Sequence, residues 1–174
     1  MEIAVKRQLR TKAIDWETIY HEYVARVYNF FRYRLHDEPL SEDLTALTFE
    51  KAWKVRRQFR GTGEQMPAWL FTIARNVLRD HYRRSKPTVT LESVDYHAGD
   101  EGPDALVEKQ LAFTRLVKLI NQLPERQRDL IALKFGAGLT NREIAHLTKL
   151  SETNVGSIIH RSVKVLREKM GVEQ

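Results

Sequence analysis

Apolar residues recur at intervals of three and four through most of the chain, and alternating apolar–polar runs are nearly absent. That period belongs to helices with one buried face, so the pattern predicts an all-α protein. From about 15 to 35, Ile19, Tyr23, Val27, Phe30 and Phe31 share one face. The sequence HDEP then breaks the helix, because a proline disfavours helical backbone at the residue before it. Ser41 is expected to cap a second helix, EDLTALTFEKAWKVRRQF, whose acidic start and basic end suit the helix dipole. Within it, Phe49 and Trp53 are expected in the domain core. RGTGEQ, residues 60–65, reads as a loop, and Pro67 falls in the first turn of a third helix running to about 84.

The stretch SKPTVTLESVDYHAGDEGPD has two prolines, two glycines, clustered acids and no helical period. It reads as a linker. Four more helices follow: from about 105 to 121, from 124 to the glycines at 136 and 138, from 140, and from 151 to about 170. Thr140 and Glu143 form a capping box, a reciprocal pairing of side chains and backbone at a helix start. The expected organisation is therefore two small helical domains, 1–86 and 105–174, joined by an acidic flexible linker at 87–104.

LTNREIAHLTKLSETNVGSIIHRSVKVLRE has the layout of a helix-turn-helix: a short helix, a four-residue turn and a second helix capped by Ser151. Ala145 is small enough to let the two helices approach, and Ile144, Leu150, Val155 and Ile159 would pin their crossing. Glu152, Thr153, Asn154, Ser157 and His160 are left on the outer face, where such helices meet base edges. Arg142, Lys149, Arg161 and Lys164 are the candidates for phosphate contact. Lys149 falls where a left-handed backbone is expected, a conformation that costs a side chain ~1–2 kcal/mol. An ordinary helical hairpin is the competing reading of the same residues.

Charge sharpens the picture. The 174 residues carry a net +6, distributed as +6 over 1–87, −6 over 88–108 and +6 over 109–174. Two basic blocks thus flank an acidic connector, which points to a polyanionic partner. The absence of cysteine removes disulfides and thiolate metal sites, and suits a reducing cytoplasm. No apolar run approaches the ~20 residues of a membrane span, so neither membrane insertion nor secretion is expected. The six histidines are scattered, and no nucleotide-binding glycine loop or acidic cluster suggests catalysis, a metal or a cofactor.

The third helix holds the most informative charge. Leu70, Ile73, Ala74 and Val77 cluster on one side of the helical wheel, with Arg75, Arg79 and Arg83 opposite and therefore not core-facing. Phe71 and Tyr82 are expected at the border of that arginine face, with Asn76 and Asp80 on its other flank. Solvated faces usually mix signs, and like charges four apart repel by a few tenths of a kcal/mol. A stripe of one sign beside aromatics fits a nucleic-acid backbone and unpaired bases, since stacking a base on an aromatic ring is worth ~1–3 kcal/mol. Asp80 has a second reading, as an ion-pair partner of Arg84.

With SEDLTALTFEKAWKVRRQFRG, PAWLFTIARNVLRDHYRRSKP and INQLPERQRDLIALKFGAGLTNREIAHLTKLSETNVGSIIHRSVKVLRE assembled in this order, the chain resembles a bacterial RNA polymerase sigma factor of the extracytoplasmic-function (ECF) type, in the sigma-70 superfamily. The first two stretches resemble its region 2, and the third its region 4. The resemblance implies binding to core RNA polymerase, recognition of double-stranded and melted promoter DNA, and control by an anti-sigma factor. It assigns core binding to the second helix, through Asp43, Leu44, Ala46, Leu47 and Thr48. It assigns the −10 element to Arg60, Gly61, Thr62, Arg75, Asn76, Arg79, Asp80, Arg83, Arg84 and Lys86. It assigns the −35 element to Arg142, Ser151, Glu152, Thr153, Asn154, Ser157, His160 and Arg161. A linker of about twenty residues spans up to ~65 Å when extended, enough for elements one to two duplex turns apart. The alternative is a helix-turn-helix regulator with an amino-terminal helical sensor or dimerisation domain. That reading needs an apolar pocket or dimer face in the first block, where the arginine stripe stands instead.

Overall fold

A computed structural model describes residues 15–35, 37–85 and 104–171. The segment 86–103, which holds nearly all of the expected linker, lies outside the described residues, as does Lys86. Seven α-helices carry the described chain, and no strand occurs in it. The first half contains α1 (Trp16–Arg34), α2 (Glu38–Val55) and α3 (Met66–Arg84). The second contains α4 (Asp104–Ile120), α5 (Glu125–Ile131), α6 (Asn141–Thr148) and α7 (Glu152–Met170). This is the expected all-α pair of helical units, and the two units also pack on each other.

In the first unit α1 supplies bulk and α2 supplies closeness. Val27, Phe30 and Phe31 are wholly buried, and Phe30 meets Phe71 of α3 edge-on at 5.9 Å between ring centres. The buried face of α2 is instead small: Ser41, Thr45, Thr48 and Ala52, with Leu44. Small residues at this spacing let neighbouring helices approach. Their hydroxyls are satisfied without partners from other helices, since Ser41, Thr45 and Thr48 donate to the carbonyls four residues earlier at 2.6–2.7 Å.

Three sequence expectations change here. The cap of α2 is Asp37, whose carboxylate accepts from the Leu40 amide at 2.8 Å; Ser41 lies inside the helix. The helix thus starts across Pro39, which sits in the first turn where its missing N–H is harmless. Trp53 is half exposed, with Arg56 stacked 3.6 Å from its ring centre, so it is not a core residue, and Phe49 is only half-buried. Phe71 is fully buried rather than bordering the arginine face.

The second unit follows the sequence closely until residue 132. There α5 widens into a single π turn over Ala132–Gly136, closed by the Ala137 amide on the Ala132 carbonyl at 2.9 Å. The capping box is present, with the Glu143 amide on the Thr140 hydroxyl at 3.2 Å and the Thr140 amide on the Glu143 carboxylate at 2.7 Å. Lys149 is the left-handed turn residue, at φ 61° and ψ 29°, and among the described residues it alone adopts positive φ without being glycine. Ile144 and Val155 are wholly buried at the crossing of α6 and α7.

Because the left-handed backbone is strained for a side chain, Lys149→Gly is expected to stabilise the protein by about 1 kcal/mol. For a chain of this size that raises the melting temperature by about 2–4 °C. A scanning calorimetry trace with a lower midpoint would contradict the strain.

Candidate nucleic-acid interface

α3 is an amphipathic helix whose buried phase, Leu70, Ala74, Val77 and Leu78, fixes the direction of its opposite face. Arg79, Arg83 and Arg84 are exposed there, as is Asn76. The Arg79 guanidinium donates to the Asn76 side-chain carbonyl at 3.3 Å, which ties these two groups into one surface. Asp80 is not paired with Arg84. It bridges Lys51 of α2 at 3.3 Å and Arg83 at 3.1 Å, so one positive charge of the stripe is partly neutralised.

The loop before α3 is held by its own short hydrogen bonds. The Thr62 amide donates to Gln65 Oε1 at 3.0 Å, and the Gln65 amide to the Thr62 carbonyl at 3.0 Å. Arg60 and Thr62 are exposed, and Gly61 is half-buried. A Cβ on Gly61 would lie 2.7 Å from both the Phe59 ring and Gln65 Oε1, so a larger residue here would have to displace those side chains.

Arg75 departs from the solvated position its helical phase suggested. Its Nε donates to Asp129 Oδ2 of α5 at 2.9 Å, and Nη2 stands 2.7 Å from the same oxygen. Both side chains are largely covered, at 24% and 15% exposure. This ion pair joins the −10 candidate surface to the second unit. Around it, Arg26 of α1 donates through Nε to the Ala137 carbonyl at 2.7 Å, while stacking 4.8 Å above the Tyr23 ring. Burial pushes the Tyr23 hydroxyl up to about 12. Gly136 packs directly on the α1 backbone, where a Cβ would lie 2.8 Å from the Asn29 carbonyl oxygen.

In the second unit Glu152, Thr153, Asn154, Ser157, His160 and Arg161 are all exposed along α7, with Arg142 exposed on α6. Thr153, Gly156, Ser157, His160 and Arg161 line a shallow depression on this face. The Ser151 hydroxyl accepts from the Asn154 amide at 3.2 Å, so it caps the helix as expected. The Arg161 guanidinium folds back on the Ser157 carbonyl at 3.3 Å.

On α2, Asp43 and Ala46 are exposed and Leu47 is half-buried, whereas Leu44 and Thr48 face the core. The residues missed from sequence are those that join the units: Arg26, Arg34, Asp129 and Gly136. Arg34 did leave a signal, a charged residue in the same helical phase as Phe30 and Phe31, and it is 5% exposed.

Among the described residues the first unit has three α-helices and the second four, the last of which, α7, presents one exposed polar face. A family model described as Sigma-70 region 2 matches residues 19–88, and one described as Sigma-70, region 4 matches residues 113–166. The chain is 31% identical over 173 residues to the ECF RNA polymerase sigma factor SigF of Caulobacter vibrioides, covering 94% of this chain and 93% of that one. It is 29% identical over 165 residues to the ECF RNA polymerase sigma factor BldN of Streptomyces coelicolor, covering 93% of this chain and 62% of BldN. The sigma factor RpoE of Bartonella quintana, co-crystallised with the anti-sigma factor NepR, superposes with a TM-score of 0.70 at 25% identity, over 92% of this chain and 99% of that one. The chain therefore belongs to the ECF RNA polymerase sigma factors, which bind RNA polymerase and direct promoter recognition. Among the described residues, no helix is long and apolar enough to cross a membrane.

Removing the carboxylate from Asp129 leaves Arg75 covered and unpaired. At this intermediate burial the closed arrangement should lose about 1–2 kcal/mol, between the exposed and buried limits. Asp129→Ala is expected to enlarge the radius of gyration in small-angle scattering, with helix content unchanged. An unaltered radius would mean that the pair does not hold the units together.

Proposed function

We propose that the chain works as a two-point promoter clamp whose −10 surface is complete only when the two units separate. The observation that carries this reading is the state of Arg75: it is clamped by Asp129, while Asn76 and Arg79 beside it remain exposed. Released, Arg75 extends the stripe through Arg79, Arg83 and Arg84, spaced to follow the phosphates of one DNA strand, with Lys86 continuing it. Arg60, Gly61 and Thr62 form the loop that closes over a turned-out base, and Asn76 supplies the amide that discriminates it. Asp80 sets the positions of Lys51 and Arg83 rather than meeting DNA itself.

The −35 duplex is read by Glu152, Thr153, Asn154, Ser157 and His160, with Arg142 and Arg161 on phosphates and Ser151 holding the helix start. The polymerase is met by the exposed side of α2, through Asp43, Ala46 and Leu47. Leu44 and Thr48 position that helix from the core. The units 1–86 and 105–174 act as separate DNA-binding modules, and 87–104 sets their separation. The chain acts by binding alone in the cytoplasm, and phosphodiester chemistry belongs to the polymerase. The likeness to RpoE, a sigma factor solved with its anti-sigma factor, supports an anti-sigma partner here too.

Added to core polymerase and a cognate promoter, the protein is expected to yield run-off transcripts that core alone does not. Arg79→Ala and Asn76→Ala should each lower open-complex formation at least tenfold, with polymerase affinity unchanged within about twofold. Each bidentate base contact or stacked base is worth ~1–3 kcal/mol, which sets that scale. Equal loss of both activities would mean that the helix is only structural.

A further inference from the structure

Beside the Arg75–Asp129 pair lies a cavity of about 280 Å³ between the two units. Arg34, Arg75, Arg79 and Arg126 line it, against two acids, Glu125 and Asp129. Asp129 is already taken by Arg75. Three guanidiniums therefore face one remaining carboxylate.

Arg34 is the unusual member. It is 5% exposed, and its Nε is buried with no hydrogen-bond partner. Its one side-chain hydrogen bond to a described residue is a long one, donated by Nη1 to the Glu125 carbonyl at 3.4 Å. Among the described residues it has no ion-pair partner. A guanidinium is rarely buried without a counter-charge, because removing it from water is unfavourable unless an anion compensates.

We propose that this cavity binds a small phosphate-bearing anion, such as a diphosphate, and that the bound anion holds the two units closed. Several planar forks converging on one space suit phosphate oxygens, each able to accept paired N–H donors. The volume admits a compact anion. Tyr82, 43% exposed, and Leu150 stand at the same cavity and offer a flat apolar wall for a base attached to the phosphates. Arg34 and Arg79 come from the first unit, Arg126 and Leu150 from the second. A ligand touching both binds the closed arrangement and not the open one, so binding shifts the population towards closure. The consequence for transcription rests on the function proposed above; the binding itself does not.

The test is calorimetric titration of the full chain with inorganic pyrophosphate, with a nucleoside diphosphate and a short single-stranded oligonucleotide in parallel. Pyrophosphate is expected to bind with one-to-one stoichiometry, raise the melting temperature and leave the radius of gyration small. Arg126→Ala, an exposed change that spares the core, should weaken it at least tenfold; Arg34→Gln should do the same if it folds. Tighter binding of the nucleoside diphosphate would place a base on Tyr82, and equal binding would assign recognition to phosphate alone; either supports the site. Absence of pyrophosphate binding, or binding indifferent to Arg126→Ala, overturns it. Competition by the oligonucleotide with opening of the chain is the expected linkage; an oligonucleotide that displaces pyrophosphate while the radius of gyration stays small overturns the site, because the cavity would then be part of the promoter surface. Run-off transcription by the same preparation tells this failure apart from failure of the sigma-factor function.

Discussion

In the proposed clamp, one ion pair decides what the first unit can present to DNA. Arg75 lies on the face of α3 that carries Asn76 and Arg79, yet its guanidinium is engaged by Asp129 of the other unit at 2.7 Å. On the function proposed above, a strand of DNA and the Asp129 carboxylate compete for the same donors, and the occupancy of the −10 surface becomes a question of domain separation. On that account polymerase and promoter must together outweigh the closed contacts, which include the Arg26 bond to the Ala137 carbonyl and the packing of Gly136 on α1.

The closed interface mixes polar and apolar contacts. A glycine lets one backbone lie on another, side chains donate hydrogen bonds to carbonyls, and Tyr33 of α1 meets Phe113 of α4 edge-on at 5.3 Å. The π turn over Ala132–Gly136 lies at this interface, where Gly136 packs on the α1 backbone and the Ala137 carbonyl meets Arg26. Such turns interrupt helices mainly where a function needs the local displacement. The buried apolar residues of the two units run together in one cluster, from Val27 and Phe30 of α1 to Leu133 and Leu139, so opening also exposes apolar surface that polymerase and promoter must compensate.

Much of the fold was legible because helix formation is local. The 3.6 period, Pro67 in a first turn, the Thr140–Glu143 box and the strained Lys149 are all properties of a few neighbouring residues. Where sequence reading failed, the cause lay in the surroundings. Ser41 is a good capping residue, but Asp37 starts the helix earlier and converts Ser41 into a small buried packing residue. Trp53 has the size of a core residue and the position of a surface one, covered by Arg56 instead of by helices. Candidate DNA contacts could be proposed from pattern, and α7 does leave its set exposed. The pairing of Arg75 with Asp129 could not, since it links residues 54 positions apart in different units, and no local pattern encodes such a contact.

Because the chain has no cysteine, two introduced ones report on a single distance. Spin labels on Ala25→Cys and Glu168→Cys, both exposed positions, would measure the gap between α1 and α7 by pulsed electron resonance. The protein alone should give one short, narrow distance distribution. Assembly with core polymerase and a melted promoter should lengthen it by the order of one duplex turn, ~34 Å. An unchanged distance in an assembly that transcribes would show that promoter opening proceeds with Arg75 still closed against Asp129.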